Sequence, residues 1–477
     1  MPIRVVEHCR TGIAGLDEVT LGGLPRGRTT LLSGGPGCGK TLFATEFLVH
    51  GVEAGEHGVF ISFEEREDDL VLNAASLGFD LQQMVADGQL AVDYVEVDRD
   101  HIHQTGDFGL DGLFIRLDLA IETVGATRVV IDTLENLFAG LDDTAMLRAE
   151  LRRLFQWLSV RGVTAIVTAE RSDASWTRYG FEEYVSDCVI LLDHRVDDQL
   201  ATRRLRIVKF RGSAHGLNEY PYLIHDRGIS VVPITSFDLS YSASSETIST
   251  GIADLDAMLG PGGLYRGSTT MVSGGSGTGK TTFAVAMALA ACERGETASF
   301  FAFEESVAQI VRNLRSVGLD LQGAIERGLL HMVPGRPTQI GLEHHLSVLH
   351  RHVEDVQPSL VVLDPITDFQ AIGSRQEIKG MLMRMVDFLK QRCITAVFTS
   401  LTNRHDVEES AVSSLIDTWI QLGNDEIDGS MRRAMYLRKS RGMAHSERVR
   451  QLVLRADGIH LIDVGDISST VVREASV

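Results

Sequence analysis

GGPGCGKT, residues 34–41, returns as GGSGTGKT, residues 274–281, and Lys40 and Lys280 stand 240 positions apart in a chain of 477. Both stretches fit G-x-x-x-x-G-K-[ST]. In that motif the backbone N–H groups of a glycine-rich turn and a helix N-terminus cradle phosphate oxygens, the lysine meets the terminal phosphates and the hydroxyl ligates magnesium. Gly34, Gly35, Gly37, Gly39, Lys40, Thr41 and Leu42 form one such cradle, and Gly274, Gly275, Gly277, Gly279, Lys280, Thr281 and Thr282 the other. One match alone leaves chance open. Two at a single offset, each between an apolar strand pattern (29–33, 269–273) and a helical one (42–52, 283–292), describe a nucleotide module written twice.

The register holds outward from the loops. HGVFISFEE (57–65) and TASFFAFEE (297–305) read as short buried strands ending in paired acids. Helical patterns follow at 68–77 and 307–317, and Gly78 and Gly318 suit the position just past each helix end. TRVVIDT (127–133) and SLVVLDP (359–365) are the next buried strands, then VTAIVTAE (163–170) and ITAVFTSL (394–401). Strands alternating with helices, and apolar almost throughout, predict an α/β fold: tandem P-loop NTPase domains, each a mostly parallel sheet with helices on both faces. VKFRGSAHG (208–216) and LRKSRGMAHS (437–446), with their alternating flanks, predict antiparallel strands extending each sheet. The expected organisation is a domain at 1–232, a serine-rich linker at 233–247, a second domain at 248–467 and a short tail at 468–477.

Lys and Arg number 45 against 65 Asp and Glu, a formal net charge of −20, which repels nucleic acid and anionic membranes unless basic groups are gathered on one face. The five cysteines show no C-x-x-C spacing, and the start, MPIRVVEHCR, has no apolar stretch of signal-peptide length. A reduced cytoplasmic setting, without membrane insertion, is the expectation.

Asp132 and Asp364 end apolar strands, where an acid holds magnesium through water; for an isolated Asp, capping a turn would be the default. Glu64, Glu65, Glu304 and Glu305 could align and deprotonate an attacking water or hydroxyl, and which acid of each pair acts is open at this point. Lys209 and Arg211 recur as Lys439 and Arg441, and we read them as fingers reaching a neighbouring subunit's phosphates. A plain basic strand is one alternative. DNA contact, helped by Arg203, Arg204, Arg206, Arg432, Arg433 and Arg438, is the other. The copies diverge before an Asp-led strand. EEYVSDCVILL aligned with SAVSSLIDTWIQL on Asp187 and Asp417 sets Glu183 and Tyr184 against Ser413 and Ser414, so one copy offers acceptor hydroxyls.

With both P-loops, both FEE strands and both K-x-R-G segments in place, residues 11–463 resemble the KaiC family of double RecA-like ATPases of the circadian clock. The resemblance implies a homohexamer stacked as two tiers, with Mg2+ and ATP between neighbouring subunits, a slow ATPase in the first tier and an autokinase and autophosphatase in the second. It makes Glu64 and Glu65 the water-activating pair, Glu304 and Glu305 the pair serving the kinase step, and Ser413 and Ser414 the adjacent phosphorylation sites. Three departures stand out. Pro365 follows Asp364 where the family has a hydroxyl residue, Glu408 replaces a threonine, and the chain past Asp463 is short. The short tail argues against KaiA as a partner and leaves a KaiB-type partner on the N-terminal tier. The rival readings are a RecA-like DNA-dependent ATPase or recombination factor and a nucleotide-gated assembly scaffold.

Overall fold

A computed structural model of the chain describes residues 6–96, 110–138, 143–171, 177, 182–197, 200–233, 243–401, 413–427 and 430–463. The chain divides into two compact units, Met1–Thr235 and Ser236–Val477. Glu408 and the tail 468–477 lie outside the described residues, as do 234–242 of the linker.

Unit 1 is built on β1 (Thr29–Gly34), α1 (Lys40–Glu53), β2 (Gly58–Ser62), α2 (Glu67–Ala75), β3 (Leu90–Tyr94), α3 (Asp111–Val124), β4 (Arg128–Asp132), α4 (Thr144–Arg161) and β5 (Thr164–Glu170). β6 (Cys188–Asp197), β7 (Leu200–Phe210), β8 (Glu219–His225) and β9 (Gly228–Val231) follow. The nine strands stand in the order β9-β8-β7-β6-β1-β5-β4-β2-β3. β3, β2, β4, β5, β1 and β6 pair in parallel; β6 to β9 pair antiparallel. β1 is central, so the loop leaving its carboxyl end opens at the rim of the sheet, where ligands of open α/β folds sit.

Strand side chains alternate between faces, and here both faces are buried. Leu32, Phe60, Val130 and Ile166 pack with Phe43, Phe47 and Leu48 of α1. Their neighbours Leu31, Val59, Ile61, Val129, Ile131 and Val167 pack on the other face with Leu117 of α3 and Leu151, Leu154 and Leu158 of α4. This is why the strands read as continuous apolar runs.

Unit 2 repeats the plan with β10 (Thr269–Gly274), α5 (Lys280–Glu293), β11 (Ala298–Ala302), α6 (Val307–Arg315), β12 (Leu330–Pro334), α7 (Leu342–Val356), β13 (Leu360–Asp364), α8 (Arg375–Gln391) and β14 (Thr395–Leu401). The sheet is completed by β15 (Thr418–Ile427), β16 (Ser430–Ser440), β17 (Arg450–Arg455) and β18 (Gly458–Asp463), in the order β12-β11-β13-β14-β10-β15-β16-β17-β18. Gly78 and Gly318, φ +84° and +77°, end the turns after α2 and α6 in the left-handed region that favours glycine. One local expectation is corrected: β2 and β11 stop at Ser62 and Ala302, so the paired acids lie in the following turns and not on the strands. In unit 1 the Ser62 hydroxyl accepts from the amides of Glu64 and Glu65, which turns the chain there. No helix among the described residues is long and apolar enough to cross a membrane.

α7 carries imidazoles that burial holds neutral. His345 is pushed down to about 4 by burial, although its ring N–H donates to the Pro337 carbonyl. His350 is pushed down to about 3 by burial and by Arg392; it stacks on Phe388, whose ring Arg392 also covers, 4.0 Å from the ring centre. Unit 1 shows the opposite sign at His50, raised mainly by its hydrogen bond to Glu46. A depressed folded-state value means that, as pH falls below the ordinary 6.5, the unfolded chain takes up protons that folded unit 2 refuses, so stability falls from there down toward pH 4. Thermal unfolding of the full chain should therefore show unit 2 losing stability between pH 7 and 5. His350→Phe, which keeps the stack, should weaken that dependence, and equal pH slopes for variant and wild type would contradict the assignment.

Candidate nucleotide sites

Each site begins with a left-handed turn that only glycine enters without strain. Gly37 and Gly277 have φ of +69° and +73°, and a Cβ at either would meet no heavy atom within 4 Å, so each loop borders open space there. α1 and α5 start at Lys40 and Lys280, and their first backbone N–H groups have no helical partner to bind. A row of free donors at the positive end of a helix beside an open concavity is an anion cradle. In unit 1 the concavity widens into a cleft of about 420 Å³ whose wall includes Lys40, Thr41, Glu64, Glu65, Asn73 and Glu170.

Beneath each cradle three contacts recur, and unit 1 adds a fourth. Thr41 donates to Asp132 and Thr281 to Asp364, both at 2.8 Å. Thr168 and Thr399 donate to the second oxygen of the same carboxylates. The Lys40 ammonium donates to the carbonyls of Gly34 (2.9 Å) and Gly35 (3.3 Å), and Lys280 to that of Gly275 (2.8 Å). Asp132 is 2% exposed and Asp364 7%; burial raises the pKa of both carboxylates, opposed by the threonine hydroxyls and the lysine. A buried carboxylate with a neighbouring hydroxyl, open toward an anion cradle, is an all-oxygen donor set that suits a small hard cation such as Mg2+.

The paired acids are not equivalent. Glu64 has its pKa raised by burial first, then by Asp132, Glu170 and Glu65, with Lys40 opposing, which puts it among the phosphate-site groups. In unit 2 the charge of Glu304 acts on Lys280, Asp364 and Asp368, which places it at the corresponding site. Glu65 and Glu305 instead accept from Asn73 and Asn313, both at 3.1 Å.

The basic pairs stand elsewhere. Lys209 and Arg211 are not among the residues lining the unit 1 cleft. Lys209 donates to the carbonyls of Ser186 (2.7 Å) and Tyr184 (3.4 Å), and Arg211 to that of Tyr184 (3.0 Å). Lys439 donates to the carbonyls of Ser413 (2.7 Å) and Ile416 (2.8 Å), and Arg441 to that of Ser414 (2.8 Å). A β-bulge precedes each lysine: the pairing shifts between Val189 and Ile190 and between Trp419 and Ile420, leaving Val208 and Arg438 as the extra residues. The bulge turns the K-x-R side chains toward the segment before Asp187 or Asp417. Ser413 is half-buried and Ser414 exposed; the Glu183 side chain lies outside the described residues.

Sequence reasoning missed Asn73, Asn313, Thr168, Thr399 and Glu170. The threonines recur inside VTAIVTAE and ITAVFTSL, a signal that was readable but unassigned. Arg433 is also nearer a P-loop than the DNA reading implied, donating to the Gly277 carbonyl at 3.3 Å.

Two mostly parallel sheets, each with a phosphate loop on its central strand and a buried Asp ending the strand two places along, define a tandem P-loop ATPase of the RecA type. The family model "ATPase: KaiC" matches twice, at 9–236 and 248–465, and the chain belongs to the KaiC family. It is 50% identical over 461 residues to the circadian clock protein KaiC2 of Synechocystis sp., spanning 95% of this chain and 81% of that protein. It is 37% identical over 465 residues to the circadian clock oscillator protein KaiC of Thermostichus vulcanus (96% and 89%) and 35% over 467 residues to that of Synechococcus elongatus (96% and 90%).

Removing one ammonium should disable one site. Lys40→Ala and Lys280→Ala should each weaken a fluorescent ATP analogue at one of two sites by about tenfold to a hundredfold, as expected for losing a hydrogen bond to a charged group. Two-site binding retained at wild-type affinity in the double variant would contradict the assignment.

Proposed function

We propose that the chain is a Mg2+-dependent ATPase and serine autokinase and autophosphatase, working as a two-tiered homohexamer in timekeeping or signalling, with a KaiB-type partner on the first tier and a cytoplasmic setting. The observation that carries the kinase half is the clamp of Lys439 and Arg441 on the carbonyls of Ser413 and Ser414. It ties the finger pair to the copy of that segment with serines at both positions, where the other copy has Glu183 and Tyr184. Finger and acceptor on one edge suit an active site shared between neighbouring subunits, and closed cyclic symmetry lets every subunit supply both.

In this reading the cradle amides and Lys40 or Lys280 hold the phosphates of ATP. Thr41 with Asp132, and Thr281 with Asp364, would hold Mg2+, which when bound neutralises charge on the phosphate oxygens. Glu64 orients a water in the first tier and takes its proton. In the second tier Glu304 takes the proton of the Ser414 or Ser413 hydroxyl, whose oxygen bonds to the γ-phosphorus as the bond to ADP breaks. The raised pKa of Glu64 makes it a better proton acceptor than an ordinary carboxylate. A phosphoserine there adds about −1.5 to −2 charges beside Lys439 and Arg441, enough to bias a two-state contact.

A DNA-binding role has less support. Arg204 pairs with Glu219 at 3.5 Å, Arg438 covers the Trp419 ring and Arg433 is engaged on the P-loop, so side chains that reading relies on are used within the chain.

Incubation with γ-labelled ATP should label the protein, and Ser413→Ala/Ser414→Ala should lose most of the label; labelling equal to wild type would refute the acceptor assignment. Native mass spectrometry with ATP should give the mass of six copies, and a monomer under those conditions would refute the assembly.

A further inference from the structure

The carboxylate pairs Glu64–Glu65 and Glu304–Glu305 pose a problem of charge. Adjacent acids at a phosphate site compete for one lysine, and whichever carboxylate is surplus repels the nucleotide. Both units resolve this in the same way. Asn73 of α2 and Asn313 of α6, each eight residues past the second acid, donate their side-chain amide to Glu65 and Glu305 at 3.1 Å. In unit 2 the orientation of the amide is set by chemistry: Arg312 donates to the Asn313 oxygen through two nitrogens, at 3.2 and 3.0 Å, leaving the NH2 for Glu305. The asparagine backbone is held alike in both units, since Ser76 and Ser316 donate to its carbonyl at 2.7 Å.

We propose that Asn73 and Asn313 are positioning residues that fasten the second acid of each pair to the following helix and leave the first acid to serve the nucleophile. The proposal rests on the ATPase reading above and deepens it. It rests on geometry found once in each unit, and it assigns Glu64 and Glu304 to the nucleophile while Glu65, which lines the same cleft, and Glu305 are tied to the asparagines. Asparagine suits the task because it offers an N–H to a carboxylate without adding charge beside the phosphates, which a lysine or arginine would do. Both asparagines are exposed on their helices, so truncation leaves no cavity.

The test is a double-mutant cycle in the full chain, with folding checked by circular dichroism. Asn73→Ala/Asn313→Ala should lower kcat for ATP hydrolysis roughly tenfold while KM stays within about twofold, because the reacting geometry is lost and nucleotide contact is not. Added to Glu65→Gln/Glu305→Gln, the same pair of alanines should have no further effect, because the group they hold has already lost its charge. A rise in KM with kcat unchanged would make the asparagines direct nucleotide ligands and overturn the proposal. So would a full additional loss in the glutamine background, or unchanged kinetics in the alanine variant. Absence of ATP turnover in the wild-type protein would overturn the ATPase reading and this proposal with it. Wild-type turnover combined with a silent alanine variant overturns the proposal alone.

Discussion

A carboxylate kept out of water at the end of a central parallel strand is the constraint on which each unit depends. Asp132 and Asp364 are almost wholly buried, and a buried carboxylate is costly unless it is surrounded by donors. Here two threonine hydroxyls take one oxygen each, one from the first turn of the P-loop helix and one from the neighbouring strand, while the P-loop lysine lies close by. Strand, loop and helix are thereby locked into one register, and the residual charge is turned toward the place where phosphate and a cation would sit. The backbone adds to this: Phe63 and Phe303 donate their amides to the carbonyls of the same aspartates, bringing the acid-bearing turns alongside.

Around that shared arrangement the two units differ in chosen places. Where β5 ends in Glu170, lining the first cleft, β14 ends in Leu401. The backbone amide at that position is held by the Glu135 carboxylate in one unit and by the Thr367 hydroxyl in the other. In the first P-loop Cys38 is fully buried and its carbonyl accepts from Tyr222, whereas in the second Thr278 donates to Gly275 within the loop. Behind the second P-loop Trp419 donates to Ser273, which donates in turn to Gln421, a buried polar relay where unit 1 has Val189 and Leu191. The first site thus carries a carboxylate where the second has Leu401, and the second a polar relay where the first has apolar side chains.

The irregular positions matter as much as the regular ones. A single extra residue in β7 and in β16 reaims the K-x-R side chains at the segment before the Asp-led strand. A straight strand would have placed lysine and arginine by simple alternation. The bulge instead lets both clamp carbonyls of one short segment, which in unit 2 carries Ser413 and Ser414.

By itself, the sequence determined the number of modules, the strand–helix alternation, the phosphate loops, and Asp132 and Asp364 as residues of interest. These are matters of local backbone freedom and of hydrophobic period, and both are written in short windows. Only the tertiary structure decided that the acids sit in turns beyond their strands, that Glu65 and Glu305 accept from Asn73 and Asn313, that Thr168 and Thr399 complete the buried carboxylates, and that the basic pairs grip the segments before Asp187 and Asp417. Those outcomes depend on contacts between residues tens of positions apart, such as Thr41 with Asp132 and Lys439 with Ser413, and on a one-residue bulge. No local pattern encodes them, because each is set by how the sheet brings distant strand ends together.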